Sequence, residues 1–310
     1  MLFFKMNTGS RQGIVLVAIS GVLWGTIGVV AQAIYRQSDL SPLAVGFYRL
    51  ALGFPLVALG CRLMLGREMF RVRPGHYLRM ILIGVMLAFY QVCYFSAIEY
   101  TGVAIATLIT LCSAPVIVSL ASVLVLGEAL TRHTLGALTL AVFGAGLLVG
   151  APANVADLSD LAIGAGLSFA SASGYAVVAM LGRSLTESCH PMYTTTVSFG
   201  VGTLVLLPLL LIDHSAGTYS GEVWALLAYL GLVPTALGYL LFFCGVHFIR
   251  ASTAAILTLL EPLVATLLAW ILFAERLGPV AFIGAILLLT GIFVLYRGEK
   301  MMDEKTAGGR

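Results

Sequence analysis

The chain reads as an all-α polytopic membrane protein: ten transmembrane helices in two inverted five-helix repeats. Three observations carry that reading. Hydrophobic residues make up 60% of the 310 residues and charged residues only 10%, with a mean hydropathy of +1.03. So few charges could not cover the surface of a soluble protein of this size. Next, the apolar residues fall into ten stretches of about 20 residues, the length that crosses a bilayer core. Finally, the chain repeats itself. Pro115 and Pro262 are 147 residues apart, as are Glu128 and Glu275, and Gly144 and Gly291. Around them run the similar phrases SAPVIVSLASVLVLGEAL and LEPLVATLLAWILFAERL, with a one-residue shift just before each proline. A repeat of this size means one structural unit used twice.

The spans follow in order. Span 1 covers 13–34. Lys5, Arg11 and Ala31-Gln32-Ala33 imitate a secretory signal, but the apolar run is longer than a signal-peptide core, so it is read as an uncleaved helix. Trp24 sits at its centre, and Gly21, Gly25 and Gly28 give it a narrow face for close packing. Span 2 is 42–65 and holds Arg49 about two turns from one end. Span 3 is 75–98, where Tyr90 and Tyr94 share one face at i,i+4 spacing with Gln91 beside them. Span 4 is 103–126, interrupted by Pro115 and followed by Glu128. Span 5 is 132–150.

The polar stretch 151–159 separates the repeats: residues 1–150 form the first and 151–298 the second. Span 6 is 159–182, with Gly164, Ser168, Ser171 and Gly174 as a small-residue face and Tyr175 beside it. Span 7 is 191–212. Span 8 is 222–245 and contains Pro234 and Tyr239. Span 9 is 253–273, with Glu261 directly before Pro262 and Trp270 further on. Span 10 is 278–296. The tail 299–310 is expected to be disordered and cytoplasmic.

Orientation comes from the basic residues. With the N-terminus in the cytoplasm, 14 of the 17 Lys and Arg fall on the cytoplasmic side, which sets both termini inside. Five helices per repeat is an odd number, so the second copy enters the membrane upside down. Inverted repeats of this kind place a solute site between the halves and point to alternating-access transport.

A charge within the hydrocarbon costs roughly 2.5–3.5 kcal/mol on insertion scales, so Arg49 and Glu261 draw attention first. Arg49 is either a carboxylate ligand or a headgroup anchor. Glu261 is either a protonatable or cation-binding group, or a partner for backbone freed by the proline. Glu128 and Glu275 close spans 4 and 9, where they cap the next helix or pair with Arg132 and Arg276. Pro115, Pro234 and Pro262 are candidate hinges, since each removes a backbone donor and frees a carbonyl. A buried phenol wants a partner, so Trp24, Tyr90, Tyr94, Tyr175 and Tyr239, together with Gln91, are candidate substrate contacts. The alternative for each is plain core packing.

Enzyme chemistry finds no support. The chain has no HExxH, GxSxG or P-loop, and no His lies beside a Ser or Cys nucleophile in an obvious constellation. Its five cysteines form neither a disulfide framework nor a metal spacing. No cofactor, metal or nucleic acid is expected. The expected partners are a small-molecule substrate and the lipid bilayer, the assembly a monomer or dimer, and the location a bacterial inner membrane.

These residues resemble a known family. Trp24 and its surroundings, SPLAVGFYRLALG (41–53), AIEYTGVAIATLITLCSAPV (97–116), PTALGYLLFFCGVHFIRASTAAILTLLEPLVATLLAW (234–270) and AERLGPVAFIGAILLLTGIFVL (274–295) resemble the EamA type of the drug/metabolite transporter superfamily. The general look is similar to its bacterial aromatic and hydrophobic amino acid exporters. The resemblance implies a basket-like fold with a central cavity lined by helices 1, 3, 4, 6, 8 and 9. It also implies export of amino acids or, alternatively, of drugs and cationic metabolites. An extra residue in Cys112-Ser113-Ala114-Pro115 departs from the family pattern.

The orientation is testable in a cysteine-free background. A cysteine at position 155 should react with an impermeant maleimide added to intact cells, and one at position 71 only after lysis. The opposite pattern would invert the topology.

Overall fold

Lipid offers no hydrogen bonds, so an apolar chain must satisfy its backbone within helices. The computed structural model describes residues 10–66, 74–127, 131–149, 158–185, 188–213, 219–273 and 279–308. They form α1 (Ser10–Gln37), α2 (Pro42–Leu65), α3 (Pro74–Leu126), α4 (Arg132–Val149), α5 (Leu158–Leu185) and α6 (Pro191–Ile212). Then come α7 (Gly221–Leu230), a π-helical segment (Gly231–Leu237), α8 (Gly238–Gly245), α9 (Ala251–Leu257), α10 (Leu260–Phe273) and α11 (Pro279–Gly308). Spans 3 and 4 are the two arms of α3. Span 8 is α7, the π-segment and α8. Span 9 is α9 with α10. Among the described residues six helices are long and apolar enough to cross a bilayer, and Ile109–Val125, Ala251–Ala265 and Phe282–Gly298 are shorter apolar stretches.

The sequence suggests a loop between spans 3 and 4, yet the chain stays helical from Pro74 to Leu126. It still reverses direction. The Tyr94 hydroxyl lies 2.6 Å from the Thr107 hydroxyl. A straight helix would separate those residues by about 20 Å along its axis. α3 is therefore a hairpin of two helical arms. Local chemistry sets the other boundaries. Ser41 caps α2 by accepting the Ala44 N–H at 3.1 Å, with Pro42 in the first position. His190 does the same for α6 through Nδ1, which takes the Met192 N–H at 3.3 Å. Burial holds the His190 imidazole below its ordinary range, and the neutral ring keeps that nitrogen free to accept.

Span 9 breaks, but upstream of the expected place. α9 ends at Leu257, and α10 starts at Leu260. Thr258 turns its hydroxyl onto the Ala255 carbonyl at 2.8 Å, and the Glu261 N–H reaches back to Thr258 O at 2.9 Å. Pro262 then lies in the first turn of α10, where a missing N–H costs nothing. It starts a helix rather than kinking one. Pro115, its repeat counterpart, is passed by a continuous arm of α3. At the other end, α11 runs to Gly308, through most of the tail expected to be disordered. The Met, Glu and Lys residues there are good helix formers.

The repeats interlock. α1 packs along α8, the π-segment and α10, whereas α5 packs along both arms of α3. Each repeat's first helix thus sits in the other repeat. Glycines allow the closest approaches. A Cβ on Gly25 would lie 2.8 Å from the Glu261 carbonyl, one on Gly21 3.2 Å from the Leu257 carbonyl, and one on Gly174 3.0 Å from Tyr90 Cβ. Gly28 faces nothing within 4 Å among the described residues, so the expected glycine face is used at two positions of three.

α4 and α11 show the duplication directly. Gly144 meets Gly284 and Leu288, and Gly291 meets Ala137 and Ala141. The offset of 147 that relates Gly144 to Gly291 also relates Ala137 to Gly284 and Ala141 to Leu288. The crossing therefore has an approximate two-fold axis. Glu128 and Glu275 lie outside the described residues.

A Cβ at position 144 would fall 2.7 Å from the Gly284 carbonyl, whereas one at 136 on the same helix meets nothing within 4 Å. Gly144→Ala should cost about 1–3 kcal/mol of stability through overpacking. Gly136→Ala should be neutral or slightly stabilising. Thermal unfolding in detergent compares the two, and equal midpoints would contradict this crossing.

Candidate functional site

Pro234 starts the site. A proline inside an α-helix lacks the N–H that closes the ladder, and its ring crowds the preceding turn. Here the helix widens into a π-turn over Gly231–Leu237. The Gly238 N–H bonds the Val233 and Thr235 carbonyls and skips Pro234. The skipped carbonyl is taken by the Trp24 indole N–H at 2.9 Å. Gly238 makes the approach possible, because a Cβ there would lie 2.7 Å from Trp24 Nε1. One turn away the Ser20 hydroxyl donates to the Gly238 carbonyl at 2.8 Å. π-turns of this sort recur at functional sites.

Aromatic rings gather around Trp24. Its centroid is 5.0 Å from Tyr239, 5.4 Å from Phe242 and 6.5 Å from Tyr175. Tyr90 stands edge-on to Tyr175 at 6.2 Å, and the Tyr90 and Tyr239 hydroxyls bond directly to each other. That contact joins the first arm of α3 to α8. α5 fixes its height, since the Ser171 hydroxyl donates to the Tyr90 carbonyl at 2.9 Å. The Tyr175 hydroxyl is buried next to Thr258.

Two ionisable side chains, one basic and one acidic, lie beside these rings. Arg49 is half-buried, and its Nε donates to the Thr235 hydroxyl at 3.1 Å. Glu261 is half-buried in the first turn of α10. Each lies within the other's electrostatic reach, but no ion pair joins them, and among the described residues the Glu261 carboxylate accepts no hydrogen bond. Tyr90 and Tyr94 sense both charges.

The structure thus brings together Trp24, Tyr90, Tyr175, Tyr239, Arg49 and Glu261. Tyr94 is one turn along, tied to Thr107 and close to Tyr35. Gln91 turns away: its amide nitrogen bonds Leu87 O at 3.1 Å, and its oxygen, unpartnered, faces Gly46 of α2. The side chain of Trp270 lies outside what the structure describes. Of the hinge candidates, Pro234 is in the site, Pro262 borders it next to Glu261, and Pro115 is in the second arm of α3. Sequence reasoning missed Thr235, Thr258 and Ser171 as partners of site residues. A hydroxyl directly after a mid-span proline was the available signal for Thr235.

The arrangement offers a cationic donor, an anionic acceptor and an aromatic wall, all within an apolar bundle. That set can hold a small solute carrying both charges and an apolar part.

Comparison with known proteins gives the family. The profile of the EamA-like transporter family matches residues 11–150 and again 162–297. The uncharacterized transporter YwfM of Bacillus subtilis (strain 168) is 32% identical over 294 residues, covering 94% of this chain and 95% of that protein. The pseudopaline exporter CntI of Pseudomonas aeruginosa (strain UCBPP-PA14) is 28% identical over 292 residues, covering 94% and 98%. A solved crystal structure superposes with a TM-score of 0.81 over 95% of this chain and 99% of its own, at 18% identity, a likeness of fold.

Proposed function

The chain belongs to the EamA-like transporter family, and from that membership together with the side chains of the candidate site we propose that it exports small zwitterionic metabolites with an aromatic or apolar side chain. Amino acids of that kind are the leading candidates. It is a multi-pass secondary transporter, and its cargo is read from the site. Arg49 takes the solute carboxylate, Glu261 takes its ammonium group, and Trp24, Tyr90, Tyr175 and Tyr239 receive its side chain.

One observation supports this reading: Arg49 and Glu261 both lie within electrostatic reach of Tyr90 and Tyr94, and among the described residues no ion pair joins them. Two charges left apart in apolar surroundings are costly. A zwitterion would neutralise both at once, and its ring would find offset or edge-on contacts on the aromatic wall. Neither named relative carries an amino acid in its name, so that part of the proposal rests on the site.

Alternating access requires the path to close on one side while opening on the other. The Tyr90–Tyr239 contact closes the path between α3 and α8 and must part for a solute to pass. The repeat plan supplies matched moving parts, and the broken helices of spans 8 and 9 are where bending is cheapest. With no nucleotide-binding motif in the chain, the driving force is a gradient. The distribution of Lys and Arg supports cytoplasmic termini, and a bacterial inner membrane is the location that fits a relative described as an inner membrane transporter.

A second reading has its own support in the pseudopaline exporter, 28% identical over nearly the whole chain. There the cargo would be a metabolite like that relative's rather than a free amino acid. The third, export of drugs or cationic metabolites, would rest on Glu261 alone.

Flux in proteoliposomes separates them. Labelled phenylalanine should move saturably and be competed by leucine and tryptophan, but not by tetraphenylphosphonium. Arg49→Gln should lower phenylalanine flux at least about tenfold, roughly 1.4 kcal/mol, with expression unchanged. Competition by the organic cation alone, with Arg49→Gln fully active, would favour the cation reading and remove the proposed one.

A further inference from the structure

The π-segment of span 8 is held by two side chains from the other repeat, and one of them is the residue assigned to the solute. Trp24 Nε1 donates to the Pro234 carbonyl at 2.9 Å, and Arg49 Nε donates to the Thr235 hydroxyl at 3.1 Å. These are consecutive residues of the same widened turn. Of the guanidinium's N–H groups, only Nε has a protein partner among the described residues. Thr235 itself is fully buried.

We infer that Thr235 is a positioning residue that holds Arg49 in reserve, and that a solute carboxylate releases it and thereby loosens the π-segment. This rests on the zwitterion reading above. A hydroxyl is a neutral acceptor and a carboxylate is a charged one, which makes the stronger bond to a guanidinium. As the solute's carboxylate draws Arg49 toward itself, the Trp24 bond is, among the described residues, the one side-chain hydrogen bond from the first repeat left on the segment, which still packs against α2 at Gly231.

The consequence follows from helix geometry. A π-turn carries one residue more than the α register it interrupts. Resuming the α register rotates everything beyond it by about 100° and shifts it by about 1.5 Å. Tyr239 is two residues past the end of the segment, and its hydroxyl is bonded to Tyr90. A rotation of that size carries Tyr239 off Tyr90 and opens the contact between α3 and α8. Solute binding at Arg49 is thus connected to gate opening through a single hydroxyl. A solute without a carboxylate can occupy the aromatic wall but cannot trigger the change. Thr235 is therefore a determinant of which solutes turn over, although it does not touch them.

Amide hydrogen exchange over 231–239, read by mass spectrometry on the full chain in detergent, tests this. In the wild type, exchange there should rise severalfold with L-phenylalanine and stay unchanged with phenethylamine, which lacks the carboxylate. Thr235→Val keeps the shape and removes the acceptor. It should exchange at the raised rate with no solute present, and phenylalanine should add nothing. Thr235→Ser restores the acceptor and should behave as wild type. Thr235→Ala replaces Val if the valine variant unfolds. Equal solute-free exchange in Thr235→Val and Thr235→Ser would overturn the proposal, as would a rise with phenethylamine equal to that with phenylalanine. The solute-free comparison does not depend on cargo. If wild-type liposomes fail to move phenylalanine while Val and Ser still differ, the cargo reading fails and the latch survives.

Discussion

A carbonyl freed in the middle of an apolar bundle has no water to turn to, and the bond from the Trp24 indole to the Pro234 carbonyl meets that need. Much else depends on it. The bond requires α1 to lie against the π-segment, which requires glycine at 238. It fixes Trp24 as the centre of the aromatic cluster, and through Tyr239 it sets where α8 meets α3. The same rule governs span 9. There Gly21 lets the turn between α9 and α10 come close to α1, Gly25 does the same for the first turn of α10, and Thr258 turns its own hydroxyl inward. One helix thus supports two broken ones. Each break has a polar side chain beside it, Thr235 in one and Glu261 in the other.

Duplication explains why the breaks can lie next to each other. In a chain of two inverted units, each first helix can pack into the opposite unit, as α1 and α5 do. The Gly144–Gly291 crossing keeps the approximate two-fold axis at one edge of the bundle. The candidate site departs from it. Glu261 corresponds to Ala114, so only one repeat contributes the acid. The π-turn belongs to span 8, and its counterpart, the first arm of α3, is a plain helix. Symmetry supplies the frame, and its local loss supplies the polar groups of the candidate site.

How far the sequence could be read follows from which interactions are local. Helix positions came from runs of apolar residues, and the repeat from the prolines and glycines spaced by 147. Those features depend on neighbouring residues and on identity, so they are legible. The aromatic cluster was also foreseeable, because deep phenols and an indole need partners and spans 1, 3, 6 and 8 supply them. What could not be read is the three-dimensional bookkeeping of backbone bonds. Pro262 looked like a kink, but the bond pattern around Thr258 moves the break upstream and makes the proline a helix start. Gln91 looked like a site residue by adjacency to Tyr90, yet a step of 100° along the helix turns it toward Gly46. The helical hairpin of α3 has no turn residues of its own to announce it beyond a single glycine at 102.

If Arg49 and Glu261 read the two ends of one solute, each should discriminate ligands by the group it meets. Binding calorimetry on purified protein in detergent, with L-phenylalanine, phenethylamine and 3-phenylpropionate, addresses it most directly. Arg49→Gln should weaken phenylalanine and phenylpropionate about tenfold or more and spare phenethylamine. Glu261→Gln should weaken phenylalanine and phenethylamine and spare phenylpropionate. If either substitution weakened all three ligands alike, or none, the two charges would be structural and the claim would be wrong.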